Sequence, residues 1–240
     1  MKLIYSFQLI ILVFSITFGE SVIAQTANEY YSSGTIKMVG GNNHGAIEDF
    51  SKAISKDKNM VDAYFNRGIA YENLQQYGNA IRDYSAVVVL KPSMYQAFNN
   101  RGLLYMKTEK YQSAIDDFTI SIRIKSDYPF TYLYRASVYL KINKLEEAKE
   151  DASLVISLLP NYFKAYYILA EVAYLQKDYS LSLKHYNFIC EHQSSNASYF
   201  LGRAAVFMAM NNLESACLDY TRAVELGSEE AKVEQLNKCK

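Results

Sequence analysis

Aromatic and small residues recur along the chain with a period of 34 residues, and polar residues separate them at helical spacing. Numbering Ala27 as repeat position 1 gives windows without gaps, and these numbers are used throughout. Position 4 is aromatic in every window, and positions 8 and 20 are always small. Position 24 is aromatic except at Ala152. Such self-similarity predicts a solenoid of stacked units. The six windows are 27–60, 61–94, 95–128, 129–162, 163–196 and 197–230.

Within each window the spacing predicts two antiparallel helices. Positions 4, 8 and 11 share one helix face, and positions 17, 20, 24, 27 and 28 share a face of a second helix. Positions 14–16 are turn residues, and Pro92 and Pro160 at position 32 end the second helix. The small residues at positions 8 and 20 are expected to let the paired helices approach closely, with the aromatic side chains beside them.

This pattern resembles the tetratricopeptide repeat over residues 27–230. The resemblance implies an all-α fold, a right-handed α-solenoid of antiparallel helix pairs that forms one domain over residues 25–240. Residues 229–239, which follow a Gly-Ser turn, are predicted to form a short C-terminal capping helix.

Positions 7 and 23 change together, which predicts an ion pair between the two helices of one window. In the fifth window the two positions become Leu169 and His185, and in the first window Ser33 faces Asp49. The alternative interpretation is that these arginines line a binding groove. The matched combinations are Arg67 with Asp83, Arg101 with Asp117, Arg135 with Asp151, and Arg203 with Asp219.

Residues 1–24 have the layout of a secretory signal peptide, with Lys2 before an apolar run and small residues before Ala24. Cleavage after Ala24 predicts a secreted protein with a periplasmic or cell-envelope location. An uncleaved anchor, which would be the only membrane attachment, is the alternative. The apolar run is shorter than the roughly 20 residues that span a bilayer.

The charge balance of the chain and the motifs that its sequence lacks exclude several classes of function. Lysine plus arginine equals aspartate plus glutamate, 25 against 25, so the basic excess of a nucleic-acid binder is missing. The sequence contains no Gly-rich phosphate loop and no catalytic signature. We therefore expect no nucleic-acid partner, no cofactor and no enzymatic activity.

Histidine and cysteine residues raise two questions. His185, Cys190 and His192 match no familiar zinc pattern, and Cys190 occupies an apolar packing position, so we expect no metal. In a secreted chain two cysteines could pair. A capping helix folded back on its neighbour would bring Cys239 opposite Cys217, and this suggests a disulfide. Three free thiols are the alternative.

In proteins that this one resembles, the first helices line a concave groove through positions 2, 5, 6, 9 and 12. These positions here are mostly aromatic, aliphatic or amide, which suits an extended peptide or an amphipathic helix. No window carries the lysine at position 5 and asparagine at position 9 that grip a carboxyl terminus. The predicted partner-binding residues are Phe65, Asn66, Asn99, Asn100, Leu103, Met106, Phe130, Leu133, Tyr134, Tyr167, Glu171 and Tyr174.

The sequence therefore predicts a non-enzymatic adaptor of the cell envelope that binds a peptide or helix of a partner protein. Glycan binding, in polysaccharide export or cell-wall assembly, is the alternative, because groove aromatics suit sugars too. The groove could also be covered by the terminal helix or by self-association.

Overall fold

The computed structural model describes residues 25–239, so the predictions for a signal peptide or anchor lie outside the described part. No helix within residues 25–239 is long and apolar enough to cross a membrane. This part of the chain contains thirteen α-helices: α1 (Ala27–Val39), α2 (Asn43–Lys56), α3 (Val61–Asn73), α4 (Tyr77–Leu90), α5 (Tyr95–Lys107), α6 (Tyr111–Ile124), α7 (Pro129–Lys141), α8 (Leu145–Leu158), α9 (Phe163–Leu175), α10 (Tyr179–His192), α11 (Ala197–Ala209), α12 (Leu213–Glu225) and α13 (Glu229–Lys238).

The helices stack in chain order. Each odd-numbered helix from α1 to α11 forms an antiparallel hairpin with the helix that follows it, and each hairpin packs against the next. The last helix, α13, packs on α12. The predicted all-α solenoid of antiparallel helix pairs, with a short terminal helix, is confirmed.

Each hairpin turns at repeat position 15 through a left-handed backbone conformation. The N–H of the next residue then donates to the carbonyl at position 11, as from Lys110 to Tyr105 at 2.8 Å. Most of these residues carry a Cβ, which disfavours positive φ. Packing of the paired helices therefore imposes the turn. The φ values are 80° at Gly41, 57° at Gln75, 58° at Glu109, 60° at Asn143, 62° at Lys177 and 57° at Asn211.

The small residue at position 8 lies against the aromatic ring at position 24 of the same hairpin. A Cβ added at Gly102 would lie 2.7 Å from Cε1 of Phe118, which is fully buried. In the fourth hairpin the two positions are Ala136 and Ala152, both fully buried. A methyl group at position 8 does not by itself exclude the ring, since Ala170 and Ala204 are followed by Tyr186 and Tyr220 at position 24, and nothing in the structure explains Ala152.

We expect Gly102→Ala to lower the free energy of unfolding by about 1 kcal/mol in urea titrations. Overpacking of a core typically costs ~1–3 kcal/mol, which outweighs the ~1 kcal/mol that alanine gains over glycine in a helix. Gly78→Ala is the matched control, since a Cβ at Gly78 meets nothing within 4 Å. This control is expected to be at least as stable as the wild type. Equal stability of both variants would contradict the tight contact with Phe118.

The four predicted Arg–Asp pairs are confirmed. The Nη2 and Oδ1 atoms are 2.7 Å apart in Arg67–Asp83, Arg101–Asp117 and Arg203–Asp219. In Arg135–Asp151 the Nε and Oδ2 atoms are 2.8 Å apart. All four aspartates are buried, and their partners bind them with two nitrogens each. The guanidinium groups are thus held between helices, as the ion-pair interpretation predicts.

Each of these arginines also binds the preceding hairpin. The Nη1 of Arg101 donates to the Oγ of Ser85 at 3.0 Å, and the Nη1 of Arg135 donates to the Oγ1 of Thr119 at 2.9 Å. Arg67 does the same with Ser51. Position 7 therefore connects successive hairpins as well as the two helices of its own hairpin.

The first and fifth hairpins replace this pair differently. In the first, Asp49 accepts a hydrogen bond from Ser33 at 2.6 Å and pairs with the ammonium of Lys37 at 2.6 Å. In the fifth, burial lowers the pKa of His185, which favours its neutral form beside Leu169. The fifth hairpin therefore lacks the buried charge pair.

A disulfide joins Cys217 to Cys239, with the two Cα atoms 5.7 Å apart. The bond ties the end of α13 to α12, and Ala231 of α13 is fully buried. Cys190 is a free, buried cysteine.

Candidate partner-binding groove

The first helices of the hairpins form the inner layer of the solenoid. Neighbouring first helices contact one another across the hairpins, as α7 and α9 do, and α9 also contacts α11. This close approach makes their exposed side the concave face. The predicted groove positions lie on these helices.

Two predicted binding residues, Asn99 and Leu133, are buried in the described chain. Asn99 is 5% exposed and its Oδ1 accepts a hydrogen bond from Thr131 at 2.9 Å. Leu133 is 3% exposed and belongs to a core cluster with Ile168. Both occupy position 5, where the side chain meets the first helix of the next hairpin. That contact removes them from the surface that a ligand could reach.

The other predicted groove residues remain partly exposed. The two amides also contact the protein's own tyrosines. Asn66 donates to the hydroxyl of Tyr31 at 3.0 Å, and Asn100 donates to the hydroxyl of Tyr84 at 3.3 Å. Each amide therefore uses one N–H within the solenoid. The partly exposed residues are Phe65, Asn66, Asn100, Leu103, Met106, Phe130, Tyr134, Tyr167, Glu171 and Tyr174.

Aromatic residues form a row at the ends of the first helices, and sequence reasoning missed part of it. Ring centroids are 5.5 Å apart in Tyr95–Tyr128, 5.3 Å in Tyr128–Phe130 and 5.5 Å in Phe130–Tyr162. Tyr128 and Tyr162 occupy position 34, directly before a first helix. This position is also large and apolar in earlier windows, as at Met94, and that regularity could have found it.

Two cavities open along the carboxyl-terminal half of the groove. One, of about 450 Å³, lies between α7, α9 and α11 and is lined in part by Leu140, Tyr167 and Tyr199. The other, of about 370 Å³, lies between α9, α11 and α13 and is lined in part by Tyr174 and Glu230. Here α13 forms a wall of the groove and leaves the cavity open. The terminal helix therefore does not cover the groove in the described part of the chain.

Two tyrosines near these cavities have raised pKa values. Burial raises the pKa of Tyr167 to about 12, with further contributions from the charges of Glu171 and Glu230. Burial and Glu171 raise the pKa of Tyr186 well above its usual range. The Tyr186 hydroxyl donates a hydrogen bond to Glu171. Both phenols are therefore neutral donors beside negative charge.

The residues that could have bound a metal have other surroundings. Burial raises the pKa of the Cys190 thiol to about 11, and the ring of His192 stacks on Phe163 with centroids 6.0 Å apart. His185 lies against Tyr166. Among residues 25–239, no group of three His, Cys, Asp or Glu side chains is arranged to hold a metal ion.

Comparisons with known proteins agree with this architecture. One family model, "TPR repeat", matches residues 27–75, and a second, "Tetratricopeptide repeat", matches residues 65–129. No curated protein sequence matches the chain significantly.

Several solved structures resemble the solenoid. PilF of Pseudomonas aeruginosa is 19% identical, with 88% of this chain and 97% of that chain covered at a TM-score of 0.71. PilW, described as a type IV pilus biogenesis factor, is 17% identical over 86% of this chain and 97% of that chain, also at 0.71. YrrB, described as having an unusual peptide-binding site, is 18% identical over 78% of this chain and 97% of that chain, at 0.65.

Identities this low establish the fold alone. Residues 27–129 are thus similar to tetratricopeptide repeats in sequence, and the described chain has the fold of a tetratricopeptide-repeat solenoid.

Proposed function

We propose that the chain is a non-enzymatic adaptor that binds a peptide or helix of a partner protein in its concave groove. The observation that carries the proposal is the cavity of about 450 Å³ on the concave face, lined by Leu140, Tyr167 and Tyr199. Aromatic side chains in partly buried pockets supply most of the binding energy at protein interfaces.

The rest of the groove, on α3, α5 and α7, also suits a polypeptide ligand. Leu103, Met106 and Phe130 are partly exposed apolar side chains that can receive the apolar side chains of a segment. Asn66 and Asn100 can hydrogen-bond to its backbone. YrrB, a solved structure of similar fold, is described as having an unusual peptide-binding site, so peptide binding is compatible with a solenoid of this kind.

We place this adaptor in the cell envelope, as a secreted protein with residues 1–24 as its signal peptide. The support is the layout of that segment together with the Cys217–Cys239 disulfide, since disulfides persist mainly in oxidising compartments. PilW, a protein of similar fold, is described as a type IV pilus biogenesis factor.

Glycan binding is the second candidate, favoured by the row of aromatic rings that includes Tyr128, Phe130 and Tyr162. Aromatic ring faces and nearby amides can stack on sugars and hydrogen-bond to their hydroxyl groups. A peptide and a glycan would therefore share part of this surface.

The test places a photo-crosslinking amino acid at Tyr134 in the groove, and at exposed Glu150 on α8 as the control. Both proteins are incubated with envelope extract of the source cells and irradiated. We expect a distinct protein crosslinked only through position 134. Identical products from both positions would contradict the groove as the binding surface. No protein product, with retention on a glycan array, would favour the second candidate.

Once the crosslinked protein is identified, we expect Tyr134→Ala/Tyr167→Ala to weaken the affinity of the chain for it at least about tenfold. Truncation of an aromatic residue at the centre of an interface commonly costs more than ~1 kcal/mol of binding free energy. Biolayer interferometry measures the affinity, and circular dichroism verifies folding. Glu150→Ala should bind like the wild type. Unchanged affinity of the folded double variant would contradict the proposal.

A further inference from the structure

The carboxyl-terminal end of the groove is acidic, although the whole chain has a formal net charge of zero. Glu171 on α9 accepts a hydrogen bond from Tyr186, and Glu230 on α13 lines the cavity of about 370 Å³ together with Tyr174, which follows Glu171 by about one helical turn. The charges of both carboxylates also raise the pKa of Tyr167. Within residues 25–239, no lysine, arginine or histidine nitrogen lies within 4.0 Å of either carboxylate.

The neighbouring charges do not neutralise this end. Lys238 lines the cavity of about 370 Å³ between α9, α11 and α13, as Glu230 does. Its Nζ atom lies 2.5 Å from the Oε2 atom of Glu234, so this lysine is already paired. Lys164 lines the cavity of about 450 Å³ and lies in the first turn of α9, about two helical turns before Glu171. Positive charge therefore lies at one edge of the groove and unpaired negative charge at the other.

Glu171 is only partly exposed, and it accepts the hydrogen bond of the buried Tyr186 hydroxyl. A carboxylate in such surroundings interacts more strongly with a cation than a fully solvated carboxylate does. The adjacent rings of Tyr167 and Tyr174 offer π faces, and these attract ammonium and guanidinium groups.

We infer that the partner segment carries a lysine or arginine side chain that binds between Glu171 and Glu230, beside an apolar side chain in the cavity lined by Leu140, Tyr167 and Tyr199. An apolar groove that ends in two carboxylates without a cation of their own is complementary in charge to such a side chain. This inference rests on the proposed function and names the chemistry of its ligand.

The register of the terminal helix supports this assignment. The 34-residue spacing would start a seventh first helix at residue 231, whereas α13 starts at Glu229. Ala231 thereby takes the buried place that Ala63, Ala97 and Ala165 hold at position 3. Glu230 and Glu234 then take the places of groove positions 2 and 6. The acidic wall is therefore a continuation of the concave face.

The test uses a phage-displayed library of random peptides, panned on the disulfide-bonded chain. We expect selected peptides to share a lysine or arginine next to apolar residues. Panning on Glu171→Gln/Glu230→Gln should lose that basic preference, since the amides keep the shape and remove the charge. Glu150→Gln/Glu191→Gln, with both positions exposed on second helices, makes the same charge change away from the groove and should keep the preference.

A synthetic selected peptide then gives the magnitude. We expect its Kd, measured by fluorescence anisotropy, to rise about tenfold with Glu171→Gln/Glu230→Gln, as for a charge pair that is partly desolvated. The control variant should bind like the wild type.

The outcomes separate this inference from the proposed function. Peptides that require Tyr167 but show no basic preference, or a preference unaffected by Glu171→Gln/Glu230→Gln, would overturn the inference alone. Peptides that bind equally well to Tyr134→Ala/Tyr167→Ala, or no selected peptides at all, would overturn both. A second copy of the chain in the groove would appear as a concentration-dependent mass in light scattering that peptide does not reduce, and this would also overturn the inference.

Discussion

Replacing Asp117 by alanine is expected to lower the free energy of unfolding by about 3 kcal/mol. The substitution leaves the Arg101 guanidinium without its carboxylate, and removal of one partner from a buried ion pair typically costs ~3–5 kcal/mol. We expect the lower end because the Arg101 side chain is 16% exposed and keeps its bond to Ser85 at 3.0 Å. Urea unfolding followed by circular dichroism measures the loss.

The preceding residue, Asp116, provides the control. It lies on the same helix, is exposed, and accepts a hydrogen bond from Gln112. Asp116→Ala should therefore change the free energy of unfolding by less than ~0.5 kcal/mol. A similar loss in both variants would show that helix propensity or general charge, and not the pair with Arg101, determines the effect.

A second comparison distinguishes the stability that the Arg101–Asp117 ion pair provides from the cost of leaving the Arg101 charge buried without a partner. Burial raises the pKa of Asp117 although the Arg101 guanidinium opposes this shift, so desolvation is a large part of the balance. Arg101→Leu/Asp117→Leu removes both charges and should unfold at higher urea concentration than Asp117→Ala. If the double variant unfolded at a lower urea concentration than Asp117→Ala, the ion pair itself would stabilise the fold, and the unpaired Arg101 charge would not explain the loss.

Loss of the Cys217–Cys239 disulfide has the other large expected effect. The bond joins residues 22 apart in sequence. A cross-link that closes a loop of that length lowers the entropy of the unfolded chain and so stabilises the folded protein by ~3 kcal/mol. Cys217→Ser/Cys239→Ser should therefore lose about 3 kcal/mol in urea titrations without reductant. Reductant should destabilise the wild type and leave the variant unchanged.

The loss should be concentrated in α13. This helix has ten residues, and Ala231 is its buried residue, so packing alone contributes little to its stability. Hydrogen exchange should show faster exchange of α13 amides in the variant, with α5 to α8 unchanged. Equal protection of α13 in both proteins would contradict a disulfide that fastens it.

The local structure could be read from the sequence because it depends on contacts within one window. Positions 4, 8, 20 and 24 determine the two helices and their packing, and the covariation of positions 7 and 23 predicted bonds such as Arg67–Asp83. The contact of Arg67 with Ser51 was missed because it joins two hairpins and leaves no equally simple pattern.

The groove was harder to predict because it depends on how the hairpins stack. Asn99 and Leu133 have the same repeat position as Phe65 and Tyr167, yet contacts with the next first helix bury the former pair. The start of α13 was predicted from the Gly-Ser turn, but the place of Glu230 in the groove wall depends on how α13 packs on α12, which the 34-residue period does not give. Such features follow from curvature and junctions rather than from the repeat itself.

The most direct test of the central claim is a hydrogen-exchange footprint of the chain with its crosslink-identified partner bound. We predict slower amide exchange in the first helices α5, α7, α9 and α11 and in the first turns of α13. The second helices α6, α8 and α10 should exchange as in the free protein. Protection confined to the second helices, or none in the first, would contradict the concave groove as the partner-binding surface.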